Sequence, residues 1–201
     1  LGTDFEQLRV DARGALDQLE LDAQADGASG RIEMRGNVGR RGDGWQGTLA
    51  SLQLAPKQGA PWRLDQAADF RWAKGSGSIS PACLHAGEGS NEGRLCVRGE
   101  WPGQGIAITG EGLSLALLQD YLPPREGGGG WRLHGAISLD ARVQPQRGGG
   151  WSGSADIASA SGGIAAARRR ASGRPPPPDL SQYRDLRLHA DFDTAGLHAT
   201  L

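Results

Sequence analysis

Apolar residues recur at alternate positions along this chain, two or three at a time, and each run ends in a polar, glycine-bearing turn. The pairs Leu8/Val10, Leu19/Leu21, Ile32/Met34, Leu52/Leu54, Trp62/Leu64, Phe70/Trp72, Leu95/Val97, Ile106/Ile108, Ile137/Leu139 and Leu186/Leu188 are all spaced by two. Successive side chains of a strand leave opposite faces of a sheet, so this period predicts strands with one apolar and one wet face. The first 40 residues read as three or four such strands. In GDGWQGTLASLQL, Trp45, Gly47 and Leu49 share a face before Leu52 and Leu54 resume it. The segment GGGWSGSADIASASG echoes that one and hints at an internal repeat of strand pairs.

LSLALLQDYLPP breaks the period. Leu113, Leu117, Leu118, Tyr121 and Leu122 fall at helical spacing before Pro123 and Pro124, which predicts one short helix near 113–122. From Gly162 to Pro178 the composition is low in complexity, and a flexible loop is expected over about 162–179. The chain otherwise reads as one unit over 1–201, taken as a piece of a longer repetitive protein because it starts without methionine and stops within an alternating run.

Composition makes that β protein a thin one. Leu, Ile, Val and Phe total 37 of 201 residues, against 33 glycines, which is too few for a thick core. The net charge of −1 and the ordered spacing argue against disorder all the same. Near-neutral, dispersed charge also excludes nucleic acid, which calls for a concentrated cationic stripe. No run approaches the roughly 20 apolar residues of a spanning helix.

The two cysteines, Cys83 and Cys96, flank a turn-rich stretch containing Gly87, Gly89, Ser90, Asn91 and Gly93, which suits a hairpin. Setting Cys83 opposite Cys96 puts Leu84 opposite Leu95 and Ala82 opposite Val97, so one register satisfies both faces. A cross-strand disulfide follows, and with it an oxidising compartment. Zinc would need four ligands, and His85, His134, His189 and His198 show no paired spacing with the cysteines, so no metal is expected. GEGSNEG lacks the spacing and context of a phosphate loop, and the acidic residues sit mainly on outward strand positions. No catalytic residue and no cofactor is therefore assigned. Trp45, Trp131 and Trp151 each follow glycine at a strand start, which suits packing at a sheet rim or an amphipathic residue at an apolar opening.

Taken in order, GWQGTLASLQL, PWRLDQAADFRW, LCVRGEW and LSLALLQDYLP, followed by the ISLDA strand, resemble the TamB family of AsmA-like periplasmic proteins over roughly 40–200. The resemblance implies an all-β fold, an elongated and mostly antiparallel sheet curled into an open apolar trough of the β-taco kind. It implies a periplasmic protein anchored in the inner membrane by a helix outside this chain, and an Omp85-type outer-membrane barrel, TamA, as partner of the full-length protein. It also implies phospholipid transport between the membranes and support of outer-membrane protein assembly, with the twenty alternating residues named at the outset contacting acyl chains. Two other readings of the same strands are a strand-pairing module for nascent outer-membrane proteins and a closed β-sandwich or solenoid for adhesion or carbohydrate binding.

Overall fold

The computed structural model describes residues 5–87, 92–123, 130–146, 149–167 and 179–201. The strands are β1 (Phe5–Ala15), β2 (Gln18–Gly27), β3 (Gly30–Arg41), β4 (Gly44–Pro56), β5 (Trp62–Leu64), β6 (Ala68–Ala73), β7 (Ser76–Ala86), β8 (Gly93–Trp101), β9 (Gly105–Ser114), β10 (Gly130–Pro145), β11 (Trp151–Ala167), β12 (Asp179–Asp193) and β13 (Gly196–Thr200). All join one 13-stranded antiparallel sheet in chain order, with the short β5 and β6 each bridging β4 and β7. Apart from the β4–β6 and β5–β7 pairings, every neighbour is the next strand in sequence, so short turns suffice for most connections. β1 and β13 do not meet: the sheet stays open, a curled trough and not a barrel.

The alternation seen in the sequence is the alternation of faces. β10 runs from Gly130 to Pro145 with strictly alternating exposure, its half-buried members being Trp131, Leu133, Gly135, Ile137, Leu139, Ala141, Val143 and Pro145. Other strands change parity once, because an extra residue is inserted. The ladders slip at Ala50 in β4, at Ser80 and Pro81 in β7, at Glu111 and Gly112 in β9, and around Ser159 to Ser161 in β11. Each slip is a bulge, which bends its strand and adds twist, and together they curl a sheet that would otherwise lie flat. Their chemistry is local. Pro81 has no N–H to give a ladder, Gly112 takes φ +58° at its bulge, and Asp185 takes φ +52° beside the bulge of β11.

Polar side chains tie down the backbone at these bends. Ser80 Oγ accepts from the Asp69 N–H at 2.8 Å, and Thr48 Oγ1 donates to Asp69 Oδ1 at 2.7 Å. Ser159, only 5% exposed, bonds the Ala136 carbonyl at 2.7 Å and the Tyr183 hydroxyl at 2.8 Å.

Glycines on the apolar face lie under aromatic rings. A Cβ on Gly47 would come within 2.9 Å of Phe70, on Gly77 within 2.3 Å of Trp72, on Gly153 within 2.6 Å of Phe192 and on Gly162 within 2.3 Å of Tyr183. Each ring is the direct cross-strand partner of its glycine. The ring thus lies down over bare backbone, which protects the weak site and keeps the apolar surface low.

The one short helix expected near 113–122 is present, and one other expectation needs correction. The helix is a 3₁₀ helix over Leu115–Tyr121, shorter than 113–122, because Leu113 still pairs with Ile137 and Ser114 is already the cap, accepting from the Ala116 N–H. Gly162 to Ala167 do not open a loop but continue β11, paired with β10 on one side and, through Ala165, with β12 on the other. Their small residues fit the close contacts there, Gly162 under Tyr183 and Gly163 under His134. The rest of the expected loop, 168–178, lies outside the described residues.

The Cys83–Cys96 disulfide is present, in the register expected, with Leu84 on Leu95 and Ala82 on Val97. Replacing both cysteines by alanine should lower unfolding stability by about 3 kcal/mol through the freed loop of the unfolded chain. Urea denaturation of the oxidised parent and the double variant measures this.

Candidate functional site: the open apolar face

All twenty alternating residues named from the sequence come out on one face of the sheet. Cross-strand pairing assembles them into rungs that run perpendicular to the strands. One reads Leu64, Leu84, Leu95, Gly110, Leu139, Ile157, Leu188 from β5 to β12. The next reads Ala82, Val97, Ile108, Ala141, Ala155, Ala190, Ala199. A third reads Phe70, Ile79, Gly99, Ile106, Val143, Gly153, Phe192, Leu197. In the first strands the rungs pass through Leu8, Ala25, Ile32 and Leu54, and through Val10, Ala23, Met34 and Leu52.

No second layer covers this face among the described residues. Among the described residues the buried apolar ones are the small Ala68, Ala86, Ala165 and Ala166, and no large side chain is fully buried. Leu8 and Val10 are 68% and 59% exposed, and most of the larger residues of the central strands are half-buried. With every strand in one sheet, the closed-sandwich reading fails. Members of the rungs beyond the twenty named residues include Leu84, Ile157 and, from strand runs whose alternation the sequence also shows, Ala141, Val143 and Phe192. Leu84 stood beside Cys83 as a hairpin partner, and only the ladder shows that it continues the rung of Leu95 and Leu139.

The two long margins of the face differ. The first lip carries the turns after Ala15, Arg41, Ala73, Trp101, Pro145 and Asp193. On the second lip the 3₁₀ helix folds over: Leu113 and Leu117 lie against Gly93, Tyr121 lies against Gly59, and Ala86 is 1% exposed. The Trp131 indole there donates to the Pro123 carbonyl at 2.6 Å.

The opposite face is charged and mutually paired. Arg35 bonds Asp22 at 3.0 Å, Arg31 bonds Asp26 at 2.6 Å, and Asp65 takes both Arg94, at 3.0 Å, and His85. The disulfide lies on this face, as the register demanded. Here too lies a concavity of about 1230 Å³ lined by Arg13, Glu20, Asp22, Arg35, Asp69 and Arg71 among others. A twisted sheet is saddle-shaped, so each face is concave along one diagonal. Acids and bases alternate in this concavity, which makes it a solvated surface and not a site for apolar cargo. Among the described residues no cluster of His, Cys, Asp and Glu is placed to hold a metal. No described helix is long and apolar enough to cross a membrane.

An open, curled antiparallel sheet with one uncovered apolar face and one charged face belongs to the class of β-trough proteins. The sequence profile described as TamB, N-terminal domain, matches residues 2–201, and the chain belongs to the TamB family. That match takes in the first 40 residues, beyond the 40–200 over which the motifs alone carried the resemblance. No curated protein and no solved structure matches the chain.

His189 of β12 sits between Asp156, at 2.7 Å, and Asp191, at 2.8 Å. The hydrogen bond it donates to Asp156, and then the one to Asp191, raise its pKa above the ordinary 6.5. The imidazolium is therefore bound more tightly in the folded than in the unfolded state. Its contribution to stability is full below pH 6.5 and fades as pH rises through the higher folded value. An NMR titration should place His189 above 6.5, amide exchange in β12 and β13 should quicken as the ring loses its proton, and Asp156→Asn should bring the titration back down.

Proposed function

We propose that the apolar face is a conduit for phospholipid acyl chains, and that this chain is part of a periplasmic, inner-membrane-anchored protein that carries phospholipid between the two membranes. The observation that carries the reading is the uncovered rung from Leu64 to Leu188. At the usual spacing of about 4.8 Å between strands, a rung crossing those strands spans roughly 30 Å. The hydrocarbon core of a bilayer is also about 30 Å thick, so an acyl chain from one leaflet fits along the rung with room to move. Each CH₂ kept from water contributes about 0.8 kcal/mol, so sliding between near-equivalent positions keeps most of the gain at every step. The side chains along the three rungs are aliphatic, aromatic or small, and none of them offers a polar partner that would halt the cargo.

Family membership supports the same reading, since the TamB family is one of transport and assembly and supplies no catalytic residues to carry over. The mechanism proposed is accordingly non-enzymatic. It involves an outer-membrane Omp85-type barrel, TamA, as the receiving partner of the longer protein, and support of outer-membrane protein assembly. Strand pairing with nascent outer-membrane proteins is the second reading, and the observation favouring it is that β1 and β13 each leave one edge without a strand among the described residues.

A photoreactive residue at Leu54, Leu64, Ile108 or Leu139 should crosslink to phospholipid during expression, whereas one at Arg63 or Asp140 on the other face should not. Mass spectrometry of the adducts reads the result. Equal labelling of the two faces would overturn the conduit.

A further inference from the structure

The apolar face ends at the first lip in a row of indoles. The outermost rung reads Arg40, Trp45, Trp72, Gly77, Trp101 across β3, β4, β6, β7 and β8. The Trp101 ring then meets Trp151 of β11, with ring centroids 4.8 Å apart. Just inside this row runs the aliphatic rung of Ile79, Ile106 and Val143, and just outside it lie the polar turns. Indole is an apolar body with one N–H donor, the chemistry of a residue that belongs where hydrocarbon meets polar groups.

Three observations set this row apart from packing aromatics. Trp45, Trp72 and Trp151 are 39%, 48% and 49% exposed, although each is large and apolar. Among the described residues, none accepts a hydrogen bond from any of the four indole N–H groups. On the second lip, by contrast, the Trp131 N–H is bonded to the Pro123 carbonyl at 2.6 Å, under the 3₁₀ helix. Third, the register sets the exposed cation Arg40 directly beside Trp45 in the same rung, with the Gly42 carbonyl at 3.4 Å from its Nε. One margin is covered and has its donor used, while the other offers donors and a cation above an apolar floor. An acyl chain has nothing to give those groups. Ester carbonyls accept from indole N–H, and a phosphate accepts from both indole and guanidinium.

We propose that the tryptophan lip holds the glycerol-ester and phosphate region of the lipid, so that a phospholipid rides the trough in one orientation, its chains on the rungs and its headgroup at Trp72, Trp101 and Trp151. The inference rests on reading the apolar face as a phospholipid conduit and adds the side from which the headgroup protrudes. Covering the chains while leaving the headgroup at an open margin spares the cost of stripping water from a charged group.

Depth-dependent quenching of tryptophan fluorescence tests this in the chain itself. The Trp62→Phe/Trp131→Phe variant keeps the four lip indoles. Its counterpart, Trp45→Phe/Trp72→Phe/Trp101→Phe/Trp151→Phe, keeps only the other two. Each is loaded with phosphatidylcholine bearing a nitroxide either on the choline or near the end of one acyl chain, and occupancy is read by native mass spectrometry. The expected result is a greater loss of lip fluorescence with the choline label than with the chain-end label, and no such preference in the counterpart. Lipid bound with equal quenching by both labels, or with stronger quenching of the lip by the chain-end label, overturns the orientation and leaves the conduit standing. If no lipid is retained by the parent chain or by either variant, the conduit itself falls, and the orientation with it. Circular dichroism of both variants against the parent confirms that the comparison is between folded proteins.

Discussion

The rest of this structure depends on register. In an antiparallel ladder a slip of one residue turns a whole strand over, so an apolar surface extends from strand to strand only where each pairing agrees with the last. Here the agreement runs from β1 to β13. Leu64 meets Leu84, Leu84 meets Leu95, and the line passes through Gly110 to Leu139, Ile157 and Leu188. The Cys83–Cys96 bond lies in the middle of that sequence of pairings and covalently prevents one of them from slipping. A sheet that must face one way over its whole length gains most from being pinned near its centre.

Curvature then turns the sheet into a trough. The inserted residues in β4, β7, β9 and β11 bend their strands while the pairing on either side keeps the same face apolar. The protein answers the backbone irregularity with side chains, Ser80 and Thr48 at one bend and Ser159 with Tyr183 at another. The cross-strand pairing of aromatics with glycine works in the same direction, since a ring lying on bare backbone adds apolar cover without filling the space above the sheet. Thin composition, many glycines and few large aliphatics are thus properties of an open, single-layered sheet and not of a failed core.

Most of the strands and the apolar face were legible in the sequence because period-two spacing is a local signal. Ile137 and Leu139 announce their shared face without any partner. The disulfide was legible too, because one register satisfied both Cys83/Cys96 and Leu84/Leu95. Other features were not. The bulge at Ser80 and Pro81 shifts parity between Ile79 and Leu84, and alternation read within one strand does not say which parity faces inward. Gly162 to Ala167 looked like a loop because small residues carry no periodicity, yet they are strand, and Gly162, Gly163, Ala165 and Ala166 are buried there. The helix signal over 113–122 was real but overlong, since Leu113 is claimed by its partner Ile137.

By itself the sequence determined that this is a β protein with one apolar and one charged face, crosslinked at Cys83 and Cys96, and akin to the TamB family. Those facts rest on side-chain type and spacing, which the chain carries wherever it goes. Only the tertiary structure decided that the faces of the strands fall into common rungs, that among the described residues no second sheet closes over them, and that Trp45, Trp72, Trp101 and Trp151 gather on one lip. These residues lie far apart in the chain, and what brings them into one row is cross-strand hydrogen bonding and the bulges that adjust it, neither of which is a property of any single segment.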